Sequence, residues 1–284
     1  MNGFYSIWSK PYLKQKNTKE YFMQDFERLT LLLSAEEWKK HNGSVQMIAD
    51  KQAAAFLEKM GLVPVFNDGI KIMEVDERIN QEVFWAAGKL EALKMVQAPI
   101  AMIDLDLIVW QPLEEFFRDQ DVCVIHEEPL REEIYPGREY FHMKPEYQFA
   151  PNLDWSVLPC NTALLYIRDE KLKEQYVTEA MRFMTGCAEG HENLCHMVFA
   201  EQRLLPMCAA RAHQKVTPFV PAMEVLDLQE VFTHVWGHKN VLRFNYDERE
   251  RFCIRCLRRL KEDSTEAYLI AAGWEDMQEY IRQI

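Results

Sequence analysis

Short apolar runs alternate with helix-patterned segments along most of this chain. That alternation constrains the fold more than any other feature. Strands separated by helical crossovers form a mainly parallel sheet with helices on its faces. Phe4–Trp8, Ser44–Ile48, Val63–Phe66, Ile100–Ile103, Val122–Ile125, Asn161–Ile167 and Val216–Val220 read as strands. Pro64 suggests an edge position for the third of these. Residues 18–36, 51–60, 80–96, 169–184 and 192–204 read as helices. Ser9-Lys10-Pro11 reads as a breaker after the first strand, and Asp50 stands where the cap of the 51–60 helix belongs. Residues 127–158 are irregular, and the tail from Asp247 is helical with a break at Gly273. The expected architecture is α/β: one Rossmann-like unit over 1–245, with a helical extension over 246–284 packed on it.

Charge and cysteine usage exclude several classes. The 284 residues carry a formal net charge of −12, which opposes broad docking on nucleic acid or an anionic membrane. No apolar run approaches the roughly 20 residues of a membrane span. The N-terminus lacks the basic and apolar regions of a signal peptide. Seven scattered cysteines, an odd number, fit reduced thiols in a cytoplasmic protein better than a disulfide framework. No Gly-rich phosphate loop is present.

The chemistry concentrates at Asp104-Leu105-Asp106, directly after the apolar run Ile100–Ile103. Residues i and i+2 of a strand point the same way. Two carboxylates at a buried strand end repel each other and lose hydration, so a cation belongs between them. Oxygen ligands suit Mg2+ or Mn2+. The competing reading of an Asp-x-Asp is a pair of acids capping backbone amides at a turn.

With further motifs in order, the chain resembles glycosyltransferases of the GT-A fold, in particular the glycogenin and bacterial lipopolysaccharide glycosyltransferase group. A helix bearing Lys89 precedes the Ile100–Asp106 strand and motif. Asn161-Thr162-Ala163 opens a later strand, Glu201-Gln202 forms an acidic-Gln pair, and His234-Val235-Trp236-Gly237-His238-Lys239 approximates the family's His-x-x-Gly-x-x-Lys. Here the spacing from Gly to Lys is one residue shorter, and Asn240-Val241 replaces the usual Pro-Trp. The resemblance covers residues 4–240.

It implies a metal-dependent, retaining transfer of a sugar from a nucleotide-diphosphate donor, a UDP-sugar in the favoured case, to a glycan or other hydroxyl acceptor. Asp104, Asp106 and His234 would hold the metal. Lys89, Gly237 and Lys239 would meet the diphosphate, and Asn161 the donor sugar or acceptor. Gln202 would lie beneath the reacting carbon. Tyr5 and Ser6, at the end of the first strand, and Asp50 lie where open α/β sheets bind ligands. Tyr5 would stack on a nucleobase, and Asp50 would bond base or ribose unless it simply caps its helix. The 127–158 and 185–192 segments would admit the acceptor. No Asp or Glu stands out as the general base of an inverting enzyme.

Other patterns weigh less. Cys253-x-x-Cys256 lacks a second pair to complete a zinc site and reads as two core-facing thiols. His191, Cys195 and His196 match no closed ligand set. The basic stretch 249–261 would touch a membrane surface peripherally in one reading, but its interleaved acids favour a solvated helix. Two rivals stand beside glycosyl transfer. One is an inactive nucleotide- or partner-binding relative, favoured by the shortened C-terminal motif. The other is a nucleotidyltransferase, disfavoured by the missing Gly-rich loop.

Overall fold

The computed structural model describes residues 1–188 and 194–284. The strands are β1 (Gly3–Ile7), β2 (Val45–Ala49), β3 (Ile70–Ile72), β4 (Ile100–Ile103), β5 (Leu107–Val109), β6 (Val122–Val124), β7 (Leu164–Ile167), β8 (Val216–Pro218) and β9 (Phe232–His234). The α-helices in chain order are α1 (Ser9–Lys16), α2 (Asp25–His41), α3 (Lys51–Lys59), α4 (Ala87–Lys94), α5 (Glu114–Phe117), α6 (Glu170–Gly186), α7 (Leu194–Val198), α8 (Leu204–Arg211), α9 (Lys239–Phe244), α10 (Tyr246–Asp263), α11 (Thr265–Ala272) and α12 (Gln278–Ile281).

Seven strands form one mixed sheet in the order β3-β2-β1-β4-β7-β6-β8. Four of its six pairings are parallel, and β7 runs antiparallel to both neighbours. Strands β1, β2, β4 and β7 are largely buried on both faces, as a sheet covered by helices on each side demands. Trp38 and Leu32 of α2 fill the core on one face, and Phe84 and Phe183 on the other. A separate ribbon of β5 and β9 carries the chain away from the sheet's carboxyl end.

Several local expectations are corrected. Val63–Val65 is a 3-10 turn, not a strand. Pro64 has no N–H for a ladder and its fixed φ suits the first position of a tight helical turn; the edge strand is β3, after the turn at Gly69. Ser9-Lys10-Pro11 begins α1 rather than ending structure, since Pro is tolerated in a first helical turn. The helix expected over 18–36 starts only at Asp25, where Gln24 and Glu27 close a capping box. The 80–96 helix is reduced to α4, with turns before it. The 192–204 helix is α7 followed by a π-helical turn, Phe199–Arg203. Strand β9 was not anticipated.

The tail packs on the body through α10 against α2. Arg28, buried, pairs with Asp276 and stacks on Trp274. Cys253 and Cys256 lie buried on the inner face of α10. Burial pushes the thiols of Cys123, Cys208 and Cys256 up to about 12. Because the thiolate is the reactive form, a disulfide reagent at pH 8 will titrate these positions in the native protein about 10²-fold or more slowly than in guanidinium. Equal rates in the two states would contradict this packing.

Candidate active-site cleft

The chain leaves β4 at Ile103 and turns through Asp104-Leu105-Asp106 into β5. The turn is pinned by the Asp104 N–H donating to the Ala163 carbonyl at 2.8 Å and the Leu107 N–H donating to the Asp104 carbonyl at 3.1 Å. Leu107 is directly opposite His234 in the β5–β9 ribbon, and the Val235 N–H donates to the Asp106 carbonyl at 2.9 Å. This register brings His234 to the acid pair. Ligand atoms of Asp104, Asp106 and His234 lie within 4.8 Å of one another, the one such three-residue group found among the described residues.

Two amines face this trio. Lys89 Nζ lies 2.6 Å from Asp104 Oδ1 and 2.7 Å from Glu201 Oε1. Lys239 Nζ lies 2.8 Å from Asp106 Oδ2, and His234 Nε2 is 3.7 Å from the same oxygen. The Thr162 hydroxyl donates to Glu201 Oε1 at 2.9 Å, and the Tyr176 hydroxyl to the Glu201 carbonyl at 2.6 Å. The π-helical turn carries Glu201 and Gln202 into the cleft wall, a placement typical of such turns. Gly88 lets α4 approach the end of β1: a Cβ there would sit 2.4 Å from Trp8 Cβ, so only glycine brings Lys89 this close.

The electrostatics follow from burial and neighbours. Burial raises the Asp104 carboxyl, and Lys89 only partly offsets it. Burial acts the same way on Asp106, but His234 and Lys239 beside it prevail and hold it well below the usual carboxylate range. Burial opposes the Lys89 ammonium, yet Asp104 and Glu201 outweigh it and keep it charged. Leaving His234 aside, three acids and two amines give one net negative charge. Asp104 Oδ1 and Asp106 Oδ2 are buried and each is countered by one ammonium group, that of Lys89 and that of Lys239, while the buried His234 Nε2 lies 3.7 Å from Asp106 Oδ2. Two carboxylate oxygens and an imidazole nitrogen converging in this way fit a hard divalent cation such as Mn2+ or Mg2+.

The cluster forms the floor of a cleft of about 1090 Å³ at the carboxyl ends of the parallel strands. The anticipated residues Ser6, Lys89, Asn161, Gln202 and Lys239 line it with Asp104, Asp106 and His234. Asn161 Oδ1 accepts from the Ala163 N–H at 3.0 Å, and Gln202 Oε1 accepts from the Tyr135 hydroxyl at 2.7 Å.

Three anticipated residues are not brought in. Tyr5 is fully buried, its hydroxyl 2.6 Å from Ser34 Oγ and its ring edge-on to Phe66, so it has no face for a base. Asp50 caps α3 through the Ala53 N–H and also accepts from the Ser9 N–H and hydroxyl, which occupies its oxygens. Gly237 lies in an exposed 3-10 turn with nothing within 4 Å of a Cβ built on it.

Trp8, His126 and Tyr135 line the cleft without having been singled out. His126 carried a legible signal: like Asp104, it directly follows an apolar strand run. Of the acceptor segments, 127–158 contributes Glu128, Arg131, Ile134 and Tyr135, anchored by Arg203 donating to the carbonyls of Tyr135, Pro136 and Trp155. Residues 189–192 of the second segment, and His191 with them, lie outside the described residues. Among the described residues, no helix is long and apolar enough to cross a membrane.

Fold and cleft together define an α/β protein with its polar cluster at the ends of the parallel strands, where open sheets of this kind bind ligands. The chain belongs to the DUF6734 family, a family of unknown function, whose model matches residues 1–270. No curated protein shows a significant sequence match. Among solved structures, the chain is similar to mouse xyloside xylosyltransferase 1 in its apo form, at 8% identity and a TM-score of 0.40, covering 77% of this chain and 85% of that one. It is also similar to a nucleoside-diphosphate-sugar pyrophosphorylase from Vibrio cholerae, at 13% identity and a TM-score of 0.43, covering 82% and 95%. The apo-form glycosyltransferase GlyE of Streptococcus pneumoniae matches at 11% identity and a TM-score of 0.39, covering 76% of this chain and 44% of GlyE, less than half of its length.

Proposed function

We propose that this protein transfers a sugar from a nucleotide-diphosphate donor, a UDP-sugar in the favoured case, to an acceptor hydroxyl, using Mn2+ or Mg2+ held by Asp104, Asp106 and His234. The observation that carries the reading is the convergence of the Asp104, Asp106 and His234 ligand atoms within 4.8 Å of one another, flanked by two lysines in the lining of a large cleft. A bound divalent cation would supply charge neutralisation for the donor diphosphate and its departing form. The chain's own groups do the rest. The net negative charge of the cluster becomes positive with a divalent cation, which suits a dianionic diphosphate. Lys89 and Lys239, preorganised by their acids, add positive charge where negative charge develops on the leaving group. Asn161 and Gln202, held by Ala163 and Tyr135, present amides toward the donor sugar. The 127–141 segment, tied down by Arg203, walls one side of the cleft.

A thermal-shift panel of nucleotide-sugars with Mn2+ tests this, because a ligand that binds only the folded state raises its melting temperature. UDP-sugars with Mn2+ are expected to raise it by several degrees, and a chelator to remove the gain. Turnover that persists unchanged in chelator would refute the metal role. Stabilisation by UDP without turnover of any donor would instead favour the inactive binding relative.

A further inference from the structure

Beyond β6, residues 125–128 continue an antiparallel ladder with 159–161. The Ile125 N–H donates to the Asn161 carbonyl at 3.0 Å, the Asn161 N–H to the His126 carbonyl at 2.9 Å, and the Glu128 N–H to the Pro159 carbonyl at 2.8 Å. Side chains alternate along such a ladder, so His126 and Glu128 share one face, and both line the cleft while Glu127 does not. His126 is 2% exposed. Its Nδ1 lies 3.1 Å from the Glu127 carbonyl and 3.6 Å from Glu128 Oε1. Both partners are acceptors, so in the neutral imidazole Nδ1 carries the proton and Nε2 the lone pair.

His126 also stands at a defined place relative to the acid cluster. The start of β7 separates them: Ala163 bonds to Asp104 on one side and Asn161 to His126 on the other. Two strand spacings put His126 on the order of 10 Å from Asp104 along the same edge of the sheet. That separation would leave room for one sugar ring between a diphosphate at the cluster and a hydroxyl at His126.

We propose that His126 is the general base that accepts the proton of the acceptor hydroxyl, with Glu128 as its positioning residue. The inference rests on the glycosyl-transfer reading. As the acceptor oxygen bonds to the donor's anomeric carbon, its proton passes to His126 Nε2. The bond from that carbon to the diphosphate oxygen breaks, and its electron pair leaves with the diphosphate. The imidazolium then returns the proton to solvent. A sugar held between them would have base and leaving group on opposite sides, and the displacement would invert the anomeric centre, in contrast to the retention implied by the sequence resemblance.

The test uses UDP-glucose, UDP-galactose and UDP-xylose, all α-linked, with Mn2+ and with methanol as a small hydroxyl acceptor. The wild-type protein is expected to yield methyl β-glycoside, read by NMR. His126→Gln is expected to lose about 10²- to 10⁴-fold in kcat while its calorimetric Kd for UDP with Mn2+ stays within twofold. Glu128→Gln is expected to lose about tenfold in kcat with an unchanged KM. Methyl α-glycoside from the wild type, which requires no variant to fold, overturns the proposal. So does turnover of His126→Gln within threefold of wild type. Failure of the wild type to bind UDP with Mn2+ removes the transferase reading itself and is seen separately by calorimetry.

Discussion

An Asp106→Asn variant is expected to lose its stabilisation by Mn2+ and to fall by about 10²-fold or more in turnover of any donor the wild type accepts. Asp106 is buried, and its carboxylate is the common neighbour of His234 and Lys239. The substitution keeps the side-chain volume but removes the charge that makes the trio a cation site. A ligand at a hundredfold excess over its Kd stabilises the folded state by about 2.7 kcal/mol, so the loss is readable by scanning fluorimetry with and without Mn2+. A variant that keeps the full Mn2+ shift would show that the cation binds elsewhere and would end the proposed assignment of the cluster.

Lys89→Met is expected to have the second large effect, on stability. Lys89 bridges Asp104 and Glu201, and its removal leaves two largely buried acids without their cation. Breaking a buried pair from one side costs about 3–5 kcal/mol, which for a chain of this size lowers the melting temperature by on the order of 10 °C. The pH dependence has a definite sign. The Asp104 carboxyl is raised by burial even with Lys89 present, and loss of the amine raises it further. A carboxyl with a raised folded-state pKa contributes stability that is fully present below its unfolded value near 4 and is lost as pH rises through the folded one. The deficit of the variant will therefore be smaller at pH 4.5 than at pH 7.5 in urea denaturation. Equal deficits at both pH values would mean that Lys89 contributes packing rather than counter-charge.

Much of this arrangement was legible from residue order. Apolar runs followed by helical periods indicated the sheet, because burial on both faces removes the polar alternation that would blur a strand. Asp104 and Asp106 stood out through the further motifs in order, because an isolated Asp-x-Asp reads as readily as acids capping a turn. The limits are equally physical. Val63–Val65 is apolar enough for a strand, but Pro64 changes its backbone, and one residue outweighs the pattern. Tyr5 was misjudged because period-two reasoning indicates that successive side chains oppose each other without indicating which face looks into a cleft. Asp50 carried two readings, and the Ser9 hydroxyl, distant in sequence, decided for the structural one. The partnership of Lys89 with Glu201 depends on how distant segments pack, which a linear pattern does not encode.

The β5–β9 ribbon has one more consequence, for how the protein matures. The acids arrive midway through the chain, whereas His234, at the end of β9, and Lys239, at the start of α9, come much later. All seven strands of the main sheet precede β9, so the sheet can be complete while Asp106 still lacks His234 and Lys239, and the proposed cation site arises at a closure between distant segments.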